Sequence, residues 1–167
     1  MHKSVRHKSI LPGIDAISIK SDRTFPRHSH DEFGLGYIVE GAQDSWSGRG
    51  LVEAVAGDTI TVNPSELHDG IGLSGNPRHW RMLFLSPAAV EDFCDEPQGR
   101  TRFCLPVNRS QSALKLAVKA FAAVALDRSN VDHAEQLVML ALGAQFEPEA
   151  DRDPVGCSKC SAAVQTV

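Results

Sequence analysis

The stretch Phe25-Pro26-Arg27-His28-Ser29-His30-Asp31-Glu32-Phe33-Gly34-Leu35-Gly36-Tyr37-Ile38-Val39-Glu40 holds two runs of β-forming residues on either side of a short charged turn. The runs lack the three-and-four apolar spacing of a helix, and the second stops at the turn signal Glu40-Gly41, so both read as strands. Successive strand side chains point to opposite faces, so alternation puts His28 and His30 on one face, able to share a ligand. Working outward, the pattern repeats. Candidate strands cover residues 14–20, 25–28, 33–40, 45–46, 51–55, 59–63, 66–71 and 80–85. Turn residues such as Ala56-Gly57-Asp58, Asn63-Pro64-Ser65 and Ser74-Gly75-Asn76-Pro77 separate them. Eight short strands with no long helix among them predict an antiparallel β-barrel, whose closure removes exposed edges and encloses a ligand-sized interior.

Beyond Ser86 the pattern changes. Pro87 at a first helical position, followed by Ala88-Ala89-Val90-Glu91-Asp92-Phe93, predicts a short helix, and residues 102–105 suggest one late strand. Residues 110–126 carry Leu114, Ala117, Val118, Phe121 and Ala125 at helical spacing. Residues 130–146 repeat it with Ala134, Leu137, Val138, Ala141 and Leu142, behind Asn130 as a cap. The fold class is therefore mostly β, a barrel followed by an antiparallel two-helix unit. Its divisions are an N-terminal arm over residues 1–10, the barrel over 11–107, a helical hairpin over 108–146 and a charged, proline-containing linker over 147–167.

With 167 residues, a net charge of -4 and 42% apolar residues, the chain suits one compact domain and lacks the basic surplus that nucleic acid requires. No run of about 18 apolar residues occurs and no secretory pattern follows Met1, which points to the cytoplasm. In that compartment Cys94, Cys104, Cys157 and Cys160 read as thiols; Cys157-Ser158-Lys159-Cys160 has half of a zinc or redox motif and no second half. A Gly-x-Ser-x-Gly elbow is absent, and Gly34-Leu35-Gly36 lies inside a strand pattern instead of at a phosphate-binding turn.

A third histidine, His68, follows the turn in Gly57-Asp58-Thr59-Ile60-Thr61-Val62-Asn63-Pro64-Ser65-Glu66-Leu67-His68. This segment, together with Pro26 to Phe33, resembles the paired motifs of the cupin superfamily, in the form found in sensor domains of AraC-family transcription regulators. Leu11-Pro12-Gly13-Ile14 and Trp80-Arg81-Met82-Leu83-Phe84-Leu85 extend the likeness, which spans about residues 11–146. The resemblance implies a cupin barrel that binds a small-molecule effector, with the two-helix unit serving as a homodimer contact through Leu114, Phe121, Leu137 and Val138. It also implies an N-terminal arm able to fold over the pocket, although the basic run Lys3, Arg6, His7 and Lys8 reads most simply as a solvated, frayed terminus. Family regulators continue into helix-turn-helix units, so DNA would be a partner only through a domain beyond Val167.

The expected effector-binding residues are His28, His30, Phe33, Tyr37, His68 and Trp80, suited to a small, mostly apolar molecule with a few polar anchors. Each of the large aromatics also has a plain reading as barrel wall. Three histidines suffice for an open zinc or nickel site, which sets an alternative beside the sensor: a metal-dependent cupin dioxygenase or isomerase using His28, His30 and His68. Against it, metal cupins carry a glutamate four or five residues after the second histidine, where this chain has Gly34 and Leu35. Glu32 shares the histidine face on simple alternation and stands as a substitute. The histidines also have a plain reading, as hydrogen-bonding groups at the barrel mouth.

Overall fold

In a computed structural model, residues 1–94 and 101–146 are described. They form ten strands: β1 (His2–His7), β2 (Ile14–Ser21), β3 (Phe25–His28), β4 (Phe33–Glu40), β5 (Ala42–Ser47), β6 (Gly50–Val55), β7 (Thr59–Val62), β8 (His68–Gly72), β9 (Arg78–Leu85) and β10 (Val107–Asn108). Helix α1 (Pro87–Cys94) follows β9; α2 (Gln111–Phe121) and α3 (Val131–Gly143) form the hairpin. All strand pairs are antiparallel, in one sheet of order β1-β2-β9-β4-β7-β10 and another of order β3-β8-β5-β6.

The large sheet is covered on both faces, which explains why β4 shows no polar alternation. Phe33, Leu35 and Tyr37 turn outward into the larger core with Leu83, Leu85, Phe121, Val138 and Leu142. Ile38 turns inward with Ile60, Trp80 and Met82, toward the small sheet. Between those inner residues, Gly34 and Gly36 leave room that Met82 fills.

Both hairpin helices start where the sequence places caps. Ser110 accepts from the Ala113 amide and Asn130 from the His133 amide, each worth about 1 kcal/mol. A π-helical segment, Ala122–Asp127, extends α2 and ends at Arg128 in left-handed backbone (φ 51°). The stripe expected to form a dimer contact is used differently. Phe121, Leu137 and Val138 are buried against the chain's own sheet, because the sheet's outer apolar face must be covered first, and Leu114 is partly buried on the same core. The apolar residues the hairpin exposes are Val118, Leu126, Val131, Met139 and Leu140.

Two further expectations change. The N-terminal basic run is not frayed: it forms β1, paired residue for residue from His2↔Ser21 to His7↔Ala16 at the sheet edge. Its exposed face has few apolar residues, so side-chain bonds supply the order: His2 to Ser21 at 3.0 Å, His7 to Ser18 at 2.8 Å and Arg6 to Asp15 at 2.8 Å. The late strand falls at Val107–Asn108, against β7, and residues 102–105 contribute only the bridge Phe103↔Phe146. The 147–167 segment, with Cys157 and Cys160, lies outside the described residues.

Candidate functional site

The two sheets face each other across a cavity of about 160 Å³. Apolar side chains from both make its walls: Ile19, Ile60, Trp80 and Met82 from the large sheet, Phe25, Val52 and Ala54 from the small one. His28, His30 and His68 also line it. The volume compares with an engineered cavity of about 150 Å³ that admits benzene, so it suits a ligand of roughly single-ring size.

Local geometry brings the histidines together. His28 pairs directly with His68 across β3 and β8. The turn before β8 is pinned by the Glu66 carboxylate, which accepts from the Asn63 amide and side-chain nitrogen, and by Ser65, whose amide donates to the His30 carbonyl at 2.7 Å. Ser65 holds a left-handed backbone (φ 59°), a conformation costing a non-glycine residue about 1 kcal/mol. Ring centroids lie 4.3 Å apart for His28 and His68, 5.0 Å for His30 and His68, and 6.4 Å for His28 and His30.

All three rings are fixed in the same sense. Nδ1 of His28 lies 2.8 Å from the Pro26 carbonyl, Nδ1 of His30 2.9 Å from that of Glu32, and Nδ1 of His68 2.8 Å from that of Glu66. A carbonyl can only accept, so each Nδ1 carries a proton, and each Nε2 is the ring nitrogen left to meet a ligand. Burial, and then the neighbouring His28 and His30, pull the His68 pKa below the ordinary imidazole value, which keeps it neutral.

Nδ1 donation to a carbonyl is how a metal-ligating histidine is oriented from behind. The ligand set is nevertheless incomplete: among the described residues no group of three or more His, Cys, Asp or Glu side chains is gathered so as to hold an ion. Glu32 does not complete it. Strand β3 ends at His28, so alternation does not carry through residues 29–32, and the Glu32 carboxylate lies 3.7 Å from Nδ1 of His30, on the side away from Nε2.

Of the expected effector residues, the cavity gathers His28, His30, His68 and Trp80 but not Phe33 or Tyr37. Tyr37 pairs with Arg81 and Ile38 with Trp80, so Tyr37 and Trp80 occupy opposite faces of the sheet. The Tyr37 hydroxyl accepts from Arg81 at 3.2 Å and its ring meets Phe121 edge-on; Phe33 packs on Phe103. Sequence reasoning missed Phe25, whose ring meets Trp80 edge-on at 5.7 Å, and Arg78 beneath both. Alternation puts Phe25 on the face opposite His28, and only the register shift between them brings both to the cavity, so its parity misleads; a buried arginine after Pro77 gave no signal.

Two facing antiparallel sheets around an apolar cavity with a histidine-bearing lining, backed by a helical hairpin, define a cupin-type ligand-binding domain. The chain belongs to the AraC-like ligand binding domain family, whose model matches residues 11–142. It is an AraC-type cupin domain. No curated protein sequence matches it. Among solved structures it is similar to a cupin superfamily protein from Desulfitobacterium hafniense (11% identity, covering 52% of this chain and 78% of that one, TM-score 0.46). It is also similar to KdgF from Halomonas sp. (22% identity, 50% and 76%, TM-score 0.42) and to a single-site variant of oxalate decarboxylase from Bacillus subtilis (14% identity, 52% and 25%, TM-score 0.43). The match thus spans a quarter of the oxalate decarboxylase chain. Among the described residues, no helix is long and apolar enough to cross a membrane.

Proposed function

We propose that the chain is the effector-sensing and dimerisation domain of a cytoplasmic AraC-type transcription regulator, non-catalytic itself, which controls DNA binding by an attached domain. The observation that carries this reading is the apolar cavity between the sheets within a family whose members are ligand-binding domains. An effector that binds one arrangement of the domain better than another shifts the population by its difference in affinity, and no bond need be made or broken.

The test is a thermal-shift screen of small metabolites on the chain and on Ala54→Phe, which fills the cavity from a wall position only 1% exposed. A true effector at about a hundredfold above its Kd adds about 2.7 kcal/mol, or roughly 5–10 °C for a chain of this size. The variant should show no such shift. Equal shifts in both chains would place binding outside the cavity and sink the reading.

The homodimer is proposed through residues 110–146, using the outward apolar side chains of the hairpin. Met139 and Leu140 are 49% and 51% exposed. Light scattering should give twice the chain mass for the wild type and the single-chain mass for a Met139→Glu, Leu140→Glu double variant. A monomeric wild type at high concentration would remove the dimer.

A further inference from the structure

The small sheet is not laddered along its whole length. Strand β5 pairs with β6 residue for residue, from Ala42↔Val55 to Ser47↔Gly50, but with β8 at Gln43↔Gly72 and Asp44↔Ile71 and no further. Continued, that register would set Ser45 opposite Gly70 and Trp46 opposite Asp69. Side chains stand there instead. The Asp69 carboxylate accepts from the Trp46 amide at 2.6 Å and that of Glu66 from the Gly48 amide at 3.2 Å, while the Gly70 carbonyl is taken by Arg78 Nη2 at 3.1 Å. The seam between β5 and β8 is thus closed by side chains, which can rotate, where β5 and β6 are closed by backbone.

The cavity runs out to that seam. Successive residues of a strand point to opposite faces, so a continuous sheet lends a cavity every second residue. Here three in a row line it from each strand, Ser45, Trp46 and Ser47 from β5 and His68, Asp69 and Gly70 from β8. Residues of both parities border one space because that space reaches between the strands. Across the seam lies a set of three linked side chains. Arg27 of β3 donates from Nε to the Asp69 carboxylate at 3.3 Å and stacks 4.6 Å from the centre of the Trp46 ring. The Arg27 side chain is 51% exposed and Trp46 38%, and an ion pair and a cation–π contact so open to water are weak. Thermal motion can part them without unfolding the sheet.

We infer that small molecules reach the cavity through the seam between β5 and β8, and that Arg27, Asp69 and Trp46 form the latch across it. The latch parts to admit a molecule of about single-ring size and closes behind it. This route rests on the effector reading above for its purpose and adds where the ligand enters.

Fluorescence quenching of the full chain tests the route without knowledge of the effector. The chain has two tryptophans, and Trp46→Phe keeps an aromatic ring under Arg27 while leaving Trp80, 8% exposed on the cavity wall, as the sole emitter. Acrylamide, a small neutral quencher, then reads access to the cavity as a rate constant from fluorescence lifetimes. Adding Arg27→Ala, at an exposed position, should raise that constant about twofold, the change in open population that loss of one exposed ion pair gives. Adding Asp69→Ala instead removes the Trp46 amide bond as well and should raise it about threefold or more. Val107→Ala, which trims the cavity wall at the far edge of the large sheet, should leave it unchanged. Thermal melts identify a variant that is loosened globally, and Arg27→Ala carries the test if Asp69→Ala does not fold. Constants for the latch variants within error of the Trp46→Phe chain, or an equal rise in Val107→Ala, would overturn the route. Either result leaves the effector reading to the metabolite screen above, which reads whether a molecule binds and not how it enters.

Discussion

Arg78→Met should destabilise the chain by about 3–5 kcal/mol, seen as a large drop in the urea midpoint with little change in slope. The Arg78 side chain is fully buried and donates to the Gln43 side chain at 2.8 Å and to the carbonyls of Arg23 at 2.9 Å, Gly70 at 3.1 Å and Ser21 at 3.4 Å. One cation thus ties β9 to the β2–β3 connection, to β8 and to β5. Burial pulls its pKa down from the ordinary guanidinium value, but arginine is not deprotonated in proteins, so the charge stays. Replacing a buried ion pair by apolar residues is often neutral, because both polar partners leave together. Here three of the partners are backbone carbonyls, which no substitution removes; each acceptor left dry costs about 1–3 kcal/mol. Arg78→Lys should fare little better, since a single ammonium cannot span the fork. A midpoint within error of the wild type for either variant would show that water satisfies those carbonyls.

The same residue bears on the site. The Arg78 guanidinium lies 4.8 Å from the centre of the Trp80 ring and 5.6 Å from that of Phe25, so the two cavity aromatics rest on it. Gly70 and Gly72 keep β8 clear of it; a Cβ at Gly72 would meet Arg78 Nη1 at 2.9 Å. The device is built from residues far apart in the chain, which is why reading along the sequence does not find it.

What the sequence does disclose has a physical pattern. Strand-forming runs between turn residues gave the sheets, and helical spacing with Ser110 and Asn130 as caps gave the hairpin, because both signals are local. The histidine trio was legible from motif order, and the backbone pairing of His28 with His68 bears out their proximity. Facing was not legible. In β4 every residue from Phe33 to Ile38 is buried, so no polar alternation marks which aromatics look into the cavity; that depends on register with β9. Strand β1 was missed for the opposite reason: its residues are largely exposed, and its partner strand orders it.

Register also makes Gly36 the position least tolerant of a methyl group. Gly36 sits in β4 opposite Met82 of β9 and Ile60 of β7, flanked on both sides by backbone. A Cβ there would fall far inside van der Waals contact with the Met82 sulfur and the Arg81 carbonyl oxygen. The sulfur can swing aside, but the carbonyl belongs to the neighbouring strand, and moving it parts the central pair of the sheet. Gly36→Ala should therefore cost about 3 kcal/mol or more, the upper end of overpacking, against the usual expectation that alanine stabilises by reducing the freedom of the unfolded chain. Gly143→Ala supplies the internal control. It closes α3, is exposed, and a Cβ there meets nothing within 4 Å, so the same substitution should stabilise by a few tenths of a kcal/mol up to about 1 kcal/mol. Opposite signs in thermal melts of the two variants are the expected result. If Gly36→Ala melts with the wild type, β4 and β9 are less closely apposed than this register requires, and the inward placement of Met82 and Trp80 along the cavity wall falls with it.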